Sequence, residues 1–347
     1  MRAVICGYYG QDNGGDEALL VTLLQLLPAG VEAIALSANP AMTSQRYGVK
    51  SVGNRDWGQI LAVLRQSDVF IWGGGSLMQD VSSLASPFYY GGLMLLAQLL
   101  GLKTIAWAQG IGPLNHPVTQ GLTRFVLGRC QGISVRDQAS AQLLHRWRLD
   151  PLIAPDPVWL LASSSDHPTF PPSTVAVNLR RHRTLTGDRL QVLTQALIQF
   201  QRLTQTYLVL IPFQASQDLA IAEGILAQLP PQTGEIVQRD DPRDLKALFR
   251  GVRFTIGMRL HSLIMAASEG SPSFALSYDP KVSRLMAEVN LPGYELENLP
   301  SDPEVISQTW QDYYHQQKAL TMETRQTLME QTRQHQKVLA SILKSID

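Results

Sequence analysis

Short apolar runs recur along this chain, each closed by Gly, Ser or Asn and followed by a segment with helical patterning. Residues 3–6, 33–36, 69–72, 104–108 and 132–135 read as strands, and 17–27 as a helix stopped by Pro28. Strand–turn–helix repetition of this kind predicts a parallel sheet wrapped by helices. A polar, proline-rich stretch over 163–173 then breaks the pattern and reads as a linker. Beyond it the alternation restarts, with strands at 174–178, 207–212, 235–238, 253–256 and 273–276 and helices at 187–204, 218–228 and 242–249. The expectation is an α/β protein of two Rossmann-like domains, 1–165 and 166–302, in a GT-B-like arrangement with the ligand cleft between them. The tail, 303–347, is helical in pattern, rich in Gln and long enough to cross back to the first domain.

Composition narrows the function classes. Lys plus Arg and Asp plus Glu both total 29, so the chain lacks the basic excess of a general nucleic-acid binder. Its two cysteines, Cys6 and Cys130, form no disulfide framework and read as core filler in a reducing compartment. The apolar stretch 91–100 falls well short of the roughly 20 residues a bilayer span requires. The expected location is the cytoplasm. Contact with the inner face of the membrane and self-association both stay open.

Four motifs at strand ends carry chemistry. Gly7-Tyr8-Tyr9-Gly10-Gln11-Asp12-Asn13-Gly14-Gly15-Asp16-Glu17 follows the first strand and opens the first helix, without forming the GxGxxG fingerprint. Asp16 and Glu17 in the first helical turn would repel a phosphate but can accept hydrogen bonds from sugar hydroxyls; capping is the alternative use. Gly73-Gly74-Gly75-Ser76 lets backbone approach a ligand closely, or simply makes a tight turn. Arg136, in Ser134-Val135-Arg136-Asp137, ends a strand and can grip a carboxylate or phosphate, or an acidic neighbour. In Met258-Arg259-Leu260-His261-Ser262, Arg259 and His261 stand at a helix start, where free N–H groups already favour an anion. Lys281, in Tyr278-Asp279-Pro280-Lys281, adds a cation at the same sheet edge, while Pro155-Asp156-Pro157 reads as a rigid turn. No His/Cys/Asp spacing suggests a metal.

Taken in order, these motifs make the chain resemble the polysaccharide pyruvyl transferase family, most of all its bacterial cell-surface branch, CsaB, from Met1 to about 291. The resemblance implies phosphoenolpyruvate as donor, no cofactor, and a lipid-linked cell-wall glycan precursor bearing N-acetylmannosamine as acceptor, converted to a 4,6-linked pyruvate ketal. It implies a donor side in the second domain, with Arg259, Leu260 and His261 at donor-binding positions together with Arg136 of the first domain; Lys281 is a further candidate cation for the donor. The acceptor side falls on the first domain, with Tyr9, Asn13, Asp16, Glu17, Gly74, Gly75 and Ser76. His261 is the candidate acid and Asp16 or Glu17 the base. Two rivals share the architecture: a GT-B glycosyltransferase using a nucleotide sugar, and a non-enzymatic two-lobed sugar or anion binder.

Overall fold

A computed structural model describes residues 1–344 apart from Ser82 and His167. His167, in the expected linker, and 345–347, the end of the tail, thus lie outside the described residues. The chain divides into two compact units. The first comprises Met1–Gln11, Asp16–Leu161 and the chain from Thr327 onward; the second comprises Asp12–Gly15 and Ala162–Gln326.

The first unit holds seven parallel strands, β1 (Arg2–Cys6), β2 (Glu32–Ser37), β3 (Lys50–Gly53), β4 (Val69–Met78), β5 (Lys103–Ile111), β6 (Gly132–Val135) and β7 (Leu152–Ile153), in the order β3-β2-β1-β4-β5-β6-β7. Alternate side chains of the central strands feed two cores. Val4, Cys6, Phe70, Trp72 and Ala106 pack on one face; Ala3, Ile5, Val69, Ile71, Ile105 and Trp107 pack on the other, with Leu339, Ile342 and Leu343 of the tail helix Gln334–Leu343. A strand covered on both faces is apolar at most positions, which is why its sequence shows no polar alternation. Burial also pushes up the thiol pKa of Cys6 and Cys130, leaving both unreactive at neutral pH.

The second unit repeats the plan with six parallel strands, β8 (Thr174–Asn178), β9 (Tyr207–Leu210), β10 (Gly234–Ile236), β11 (Phe254–Gly257), β12 (Ser273–Ser277) and β13 (Gly293–Glu295), in the order β10-β9-β8-β11-β12-β13. Counted within its own unit each sheet contains the order 3-2-1-4-5-6, the doubly wound arrangement. The fold class is therefore α/β with two Rossmann-like domains.

Two strands run further than their apolar patterns suggest. β4 continues past Trp72 through the glycine triplet to Met78, with its register against β5 shifting between Gly75 and Met78. The register of β5 against β6 shifts between Ala106 and Gln109. The glycines are thus part of an irregular strand end, not a loop after it, and such irregularities re-aim side chains at strand termini.

Candidate functional site

The order of the first sheet reverses between β1 and β4, so the segments leaving these strands flank the point where doubly wound sheets take ligands. Tyr9, expected to face an acceptor, lies instead in the core: it is fully buried and its hydroxyl donates to the Gly73 carbonyl at 2.8 Å. A Cβ at Gly7 would collide with its ring and one at Gly73 with its hydroxyl, so those two glycines make room for Tyr9. Gly74 and Gly75 have φ of +91° and +90°, a region L side chains rarely adopt. Asp16 Oδ1 lies 3.6 Å from the position a Gly75 Cβ would take, and Ser76 Oγ accepts from Arg136 Nη2 at 3.0 Å. Asp16, the glycine pair, Ser76 and Arg136 therefore line one strand end.

Glu17 sits beneath the loop that precedes it. Its side chain is buried, and Oε1 accepts from the Gly10 N–H at 2.8 Å. Loss of hydration on burial raises its pKa to about 7; the Gly10 N–H and the Tyr47 hydroxyl oppose that rise, and Asp16 adds to it. Below about pH 4.5 the carboxyl is protonated in folded and unfolded chains alike. Between 4.5 and 7 only the folded chain keeps the proton, and above 7 the folded state bears the whole burden of a buried charge, of order 3 kcal/mol. Stability is therefore expected to fall as pH rises from 5 to 8 by about 2–3 kcal/mol more in wild type than in Glu17→Gln. Denaturant melts of both proteins at the two pH values test this, and parallel behaviour would exclude Glu17 as the group responsible.

Arg136 is fixed from both sides. Nη1 pairs with Asp156 Oδ2 at 2.7 Å with both side chains buried, while Asp156 Oδ1 accepts from the Val158 N–H at 3.0 Å. The Pro155-Asp156-Pro157 turn thus also supplies the counter-charge, a role its sequence did not reveal. Behind it, His335 from the tail is fully buried with Nε2 3.0 Å from the Pro155 carbonyl. Burial lowers its pKa to about 4, so the ring is neutral at neutral pH. Asp137 caps the helix Gln138–Arg146, accepting from the Ser140 N–H at 2.8 Å.

In the second unit the order reverses between β8 and β11. Met258-Arg259-Leu260-His261 leaves β11, and the helix Leu260–Glu269 begins at once. Arg259 holds Asp218 in a two-pronged pair, Nε to Oδ2 at 2.8 Å and Nη2 to Oδ1 at 2.6 Å. Asp218, 1% exposed, also accepts from the N–H groups of Phe213 and Gln214. Arg259 is therefore no more a bare cation than Arg136 is. Asp218 escaped sequence reading because it is 41 residues from Arg259 and nothing local marks it. Leu260 is buried at the helix start. His261 is half-buried, and its ring lies against the Gly15 backbone so closely that a Cβ on Gly15 would collide with Nδ1. Asn13, expected to bind acceptor, accepts from the Gly15 N–H at 3.2 Å. Lys281 Nζ lies 3.9 Å from Asp279 Oδ2 and 5.7 Å from the centre of the Tyr278 ring.

Among the described residues no group of three or more His, Cys, Asp or Glu could hold a metal ion, and no helix is long and apolar enough to cross a membrane. Solved structures share the fold. A putative UDP-N-acetylglucosamine 2-epimerase from Listeria monocytogenes matches with a TM-score of 0.66 at 11% identity, covering 100% of this chain and 97% of that one. The UDP-GlcNAc 2-epimerase from Neisseria meningitidis bound to UDP-GlcNAc matches at 0.66 and 9%, covering 99% and 100%. A spinosyn rhamnosyltransferase complexed with thymidine diphosphate matches at 0.58 and 14%, covering 99% and 100%. At such identities the likeness shows a GT-B-like fold and nothing more. No protein of curated function matches the chain. A family model described as polysaccharide pyruvyl transferase, however, matches residues 13–280, from the Asn13 loop through Arg136 and Arg259 to Pro280. With most of its length inside that match, the chain belongs to the polysaccharide pyruvyl transferase family.

Proposed function

We propose that this enzyme transfers the pyruvyl unit of phosphoenolpyruvate to two hydroxyls of one sugar, forming a 4,6-linked ketal and releasing phosphate. The acceptor, on this reading, is a lipid-linked cell-wall glycan precursor bearing N-acetylmannosamine, and no cofactor takes part. The observation that carries the reading is the family match over residues 13–280.

The chemistry assigns roles to the residues. His261, as general acid, delivers a proton to the methylene carbon, making C2 electrophilic. One sugar hydroxyl adds to C2, the C2–O bond to phosphate breaks, and the second hydroxyl closes the ring. Of the two hydroxyl protons, one is matched by the new methyl group and the other leaves with phosphate. Asp16 acts as the base for the sugar; the buried Glu17 holds the loop through Gly10. The N–H groups at the start of the Leu260–Glu269 helix supply preorganised positive potential for an anionic group of the donor, beside Arg259 held rigid by Asp218.

Mass spectrometry of lipid-linked disaccharides incubated with protein and phosphoenolpyruvate is expected to show the added pyruvyl mass, with UDP-sugars giving no product. Transfer from a UDP-sugar instead would establish a glycosyltransferase. His261→Ala is expected to lower turnover by roughly 10²–10⁴-fold with an unchanged circular dichroism spectrum. Activity near wild type in that variant would remove His261 from the mechanism.

A further inference from the structure

The segment leaving β8 reads Leu179-Arg180-Arg181-His182-Arg183. It stands directly across the second sheet's reversal point from the Met258-Arg259-Leu260-His261 segment, because β8 pairs with β11. The two are tied together: the Arg180 backbone N–H lies 3.4 Å from Met258 Sδ. From β12, one strand further on, comes Tyr278.

Tyr278 gathers cations. Arg180 Nη1 donates to its hydroxyl at 3.0 Å, and the guanidinium carbon lies 5.1 Å from the ring centre. Lys281 Nζ lies 5.7 Å from the same centre, and the His182 ring packs edge-on at 4.8 Å. Asp279 brings a carboxylate to within 3.9 Å of Lys281 Nζ, but that carboxylate already accepts from the Lys281 backbone N–H. Among the described residues Arg180 makes no ion pair, in contrast to Arg136 and Arg259. His182 registers the excess: after burial, Arg180 and Arg183 are the chief causes lowering its pKa. Like charges drawn together around one ring repel, and an anion between them removes that repulsion. Arg180 and Lys281 are only partly buried, so an incoming group can reach them.

We propose that Arg180, His182, Tyr278 and Lys281 form a subsite for the phosphate group of an organic phosphate at the reversal point of the second sheet. The subsite deepens the pyruvyl-transfer reading, and rests on it only for which phosphate is bound. A compact phosphate suits the arrangement, since a guanidinium fork and an ammonium supply charge-assisted donors and the tyrosine hydroxyl fixes the fork. The same chemistry is offered by the donor's single phosphate and by the diphosphate of a lipid-linked or nucleotide-linked sugar. Binding experiments separate them.

Inorganic phosphate titrated into the full-length protein, followed by ³¹P line broadening, is expected to bind wild type in the millimolar range or tighter. Arg180→Gln should weaken binding roughly tenfold to a hundredfold, and Lys281→Gln should weaken it independently. Displacement of phosphate by phosphoenolpyruvate, lost in Arg180→Gln, identifies the donor's phosphate. Displacement by geranyl diphosphate or UDP alone keeps the subsite and assigns it to a diphosphate. The proposal is overturned if wild type binds no phosphate, or if well-folded Arg180→Gln and Lys281→Gln both bind it within twofold of wild type. Failure of the pyruvyl-transfer assay with phosphate binding intact removes the donor reading and leaves the subsite; intact transfer with no phosphate binding does the reverse.

Discussion

Asp218→Ala is expected to destabilise the second domain by about 3–5 kcal/mol, read as a lower denaturation midpoint with an unchanged slope. The carboxylate is 1% exposed and accepts four hydrogen bonds, two from Arg259 and one each from the Phe213 and Gln214 N–H groups. Truncation strands a buried guanidinium and leaves two N–H groups to find other acceptors, each mechanism among those that give large losses. Removing both charges together should be milder. Asp218→Leu combined with Arg259→Met takes away the stranded charge, and replacing a buried pair by apolar side chains is often close to neutral. If Asp218→Ala unfolds within 1 kcal/mol of wild type, the pair is not what holds this strand end. The double variant also separates stability from chemistry: a folded but inactive protein places Arg259 in the reaction, whereas a folded, active one leaves it a structural partner of Asp218.

Gly15→Ala is expected to lower turnover by a hundredfold or more while the protein stays folded. By helix propensity alone the change should help, since alanine exceeds glycine in a helix by nearly 1 kcal/mol and Gly15 lies in the first turn of the helix Gly14–Leu26. Space decides the opposite for activity. An added methyl would meet the Nδ1 and Cγ atoms of His261 at distances real Cβ atoms do not reach. Cγ is the fixed end of the ring, so the imidazole must rotate away as a whole. A misplacement of about 1 Å in a catalytic group costs on the order of 10²-fold in rate. Kinetics and a thermal melt of one variant suffice: a raised or unchanged melting point with collapsed turnover is the expected pair of results. Full activity would show that His261 does not work from its present position.

Central strands were legible because burial on both faces makes them near-continuous apolar runs; β1, β4 and β8 stand out in the sequence for that reason. β3, β7 and β13 did not, since edge strands of two to four residues with exposed positions carry too little pattern. The strand-end motifs were legible as motifs, with glycine, arginine and histidine crowded where a parallel sheet ends. Tyr9 misled because an aromatic within a glycine-rich loop looks like a binding residue, and only its burial against Gly7 and Gly73 makes it a packing one. The basic run at the end of β8, Arg180 to Arg183, was not singled out in the sequence. Its meaning depended on Tyr278, which the sequence places 98 residues away.

The alternation of apolar runs and helices, by itself, determined two doubly wound domains and the strand ends at which the motifs stand. Periodicity and turn residues are local, and they report how each segment is buried. Which carboxylate neutralises which arginine, only the tertiary structure decided. Pairs such as Arg136 with Asp156 and Arg259 with Asp218 are made by strand order and helix placement. Electrostatic energy depends on distance in space, to which distance along the chain is no guide.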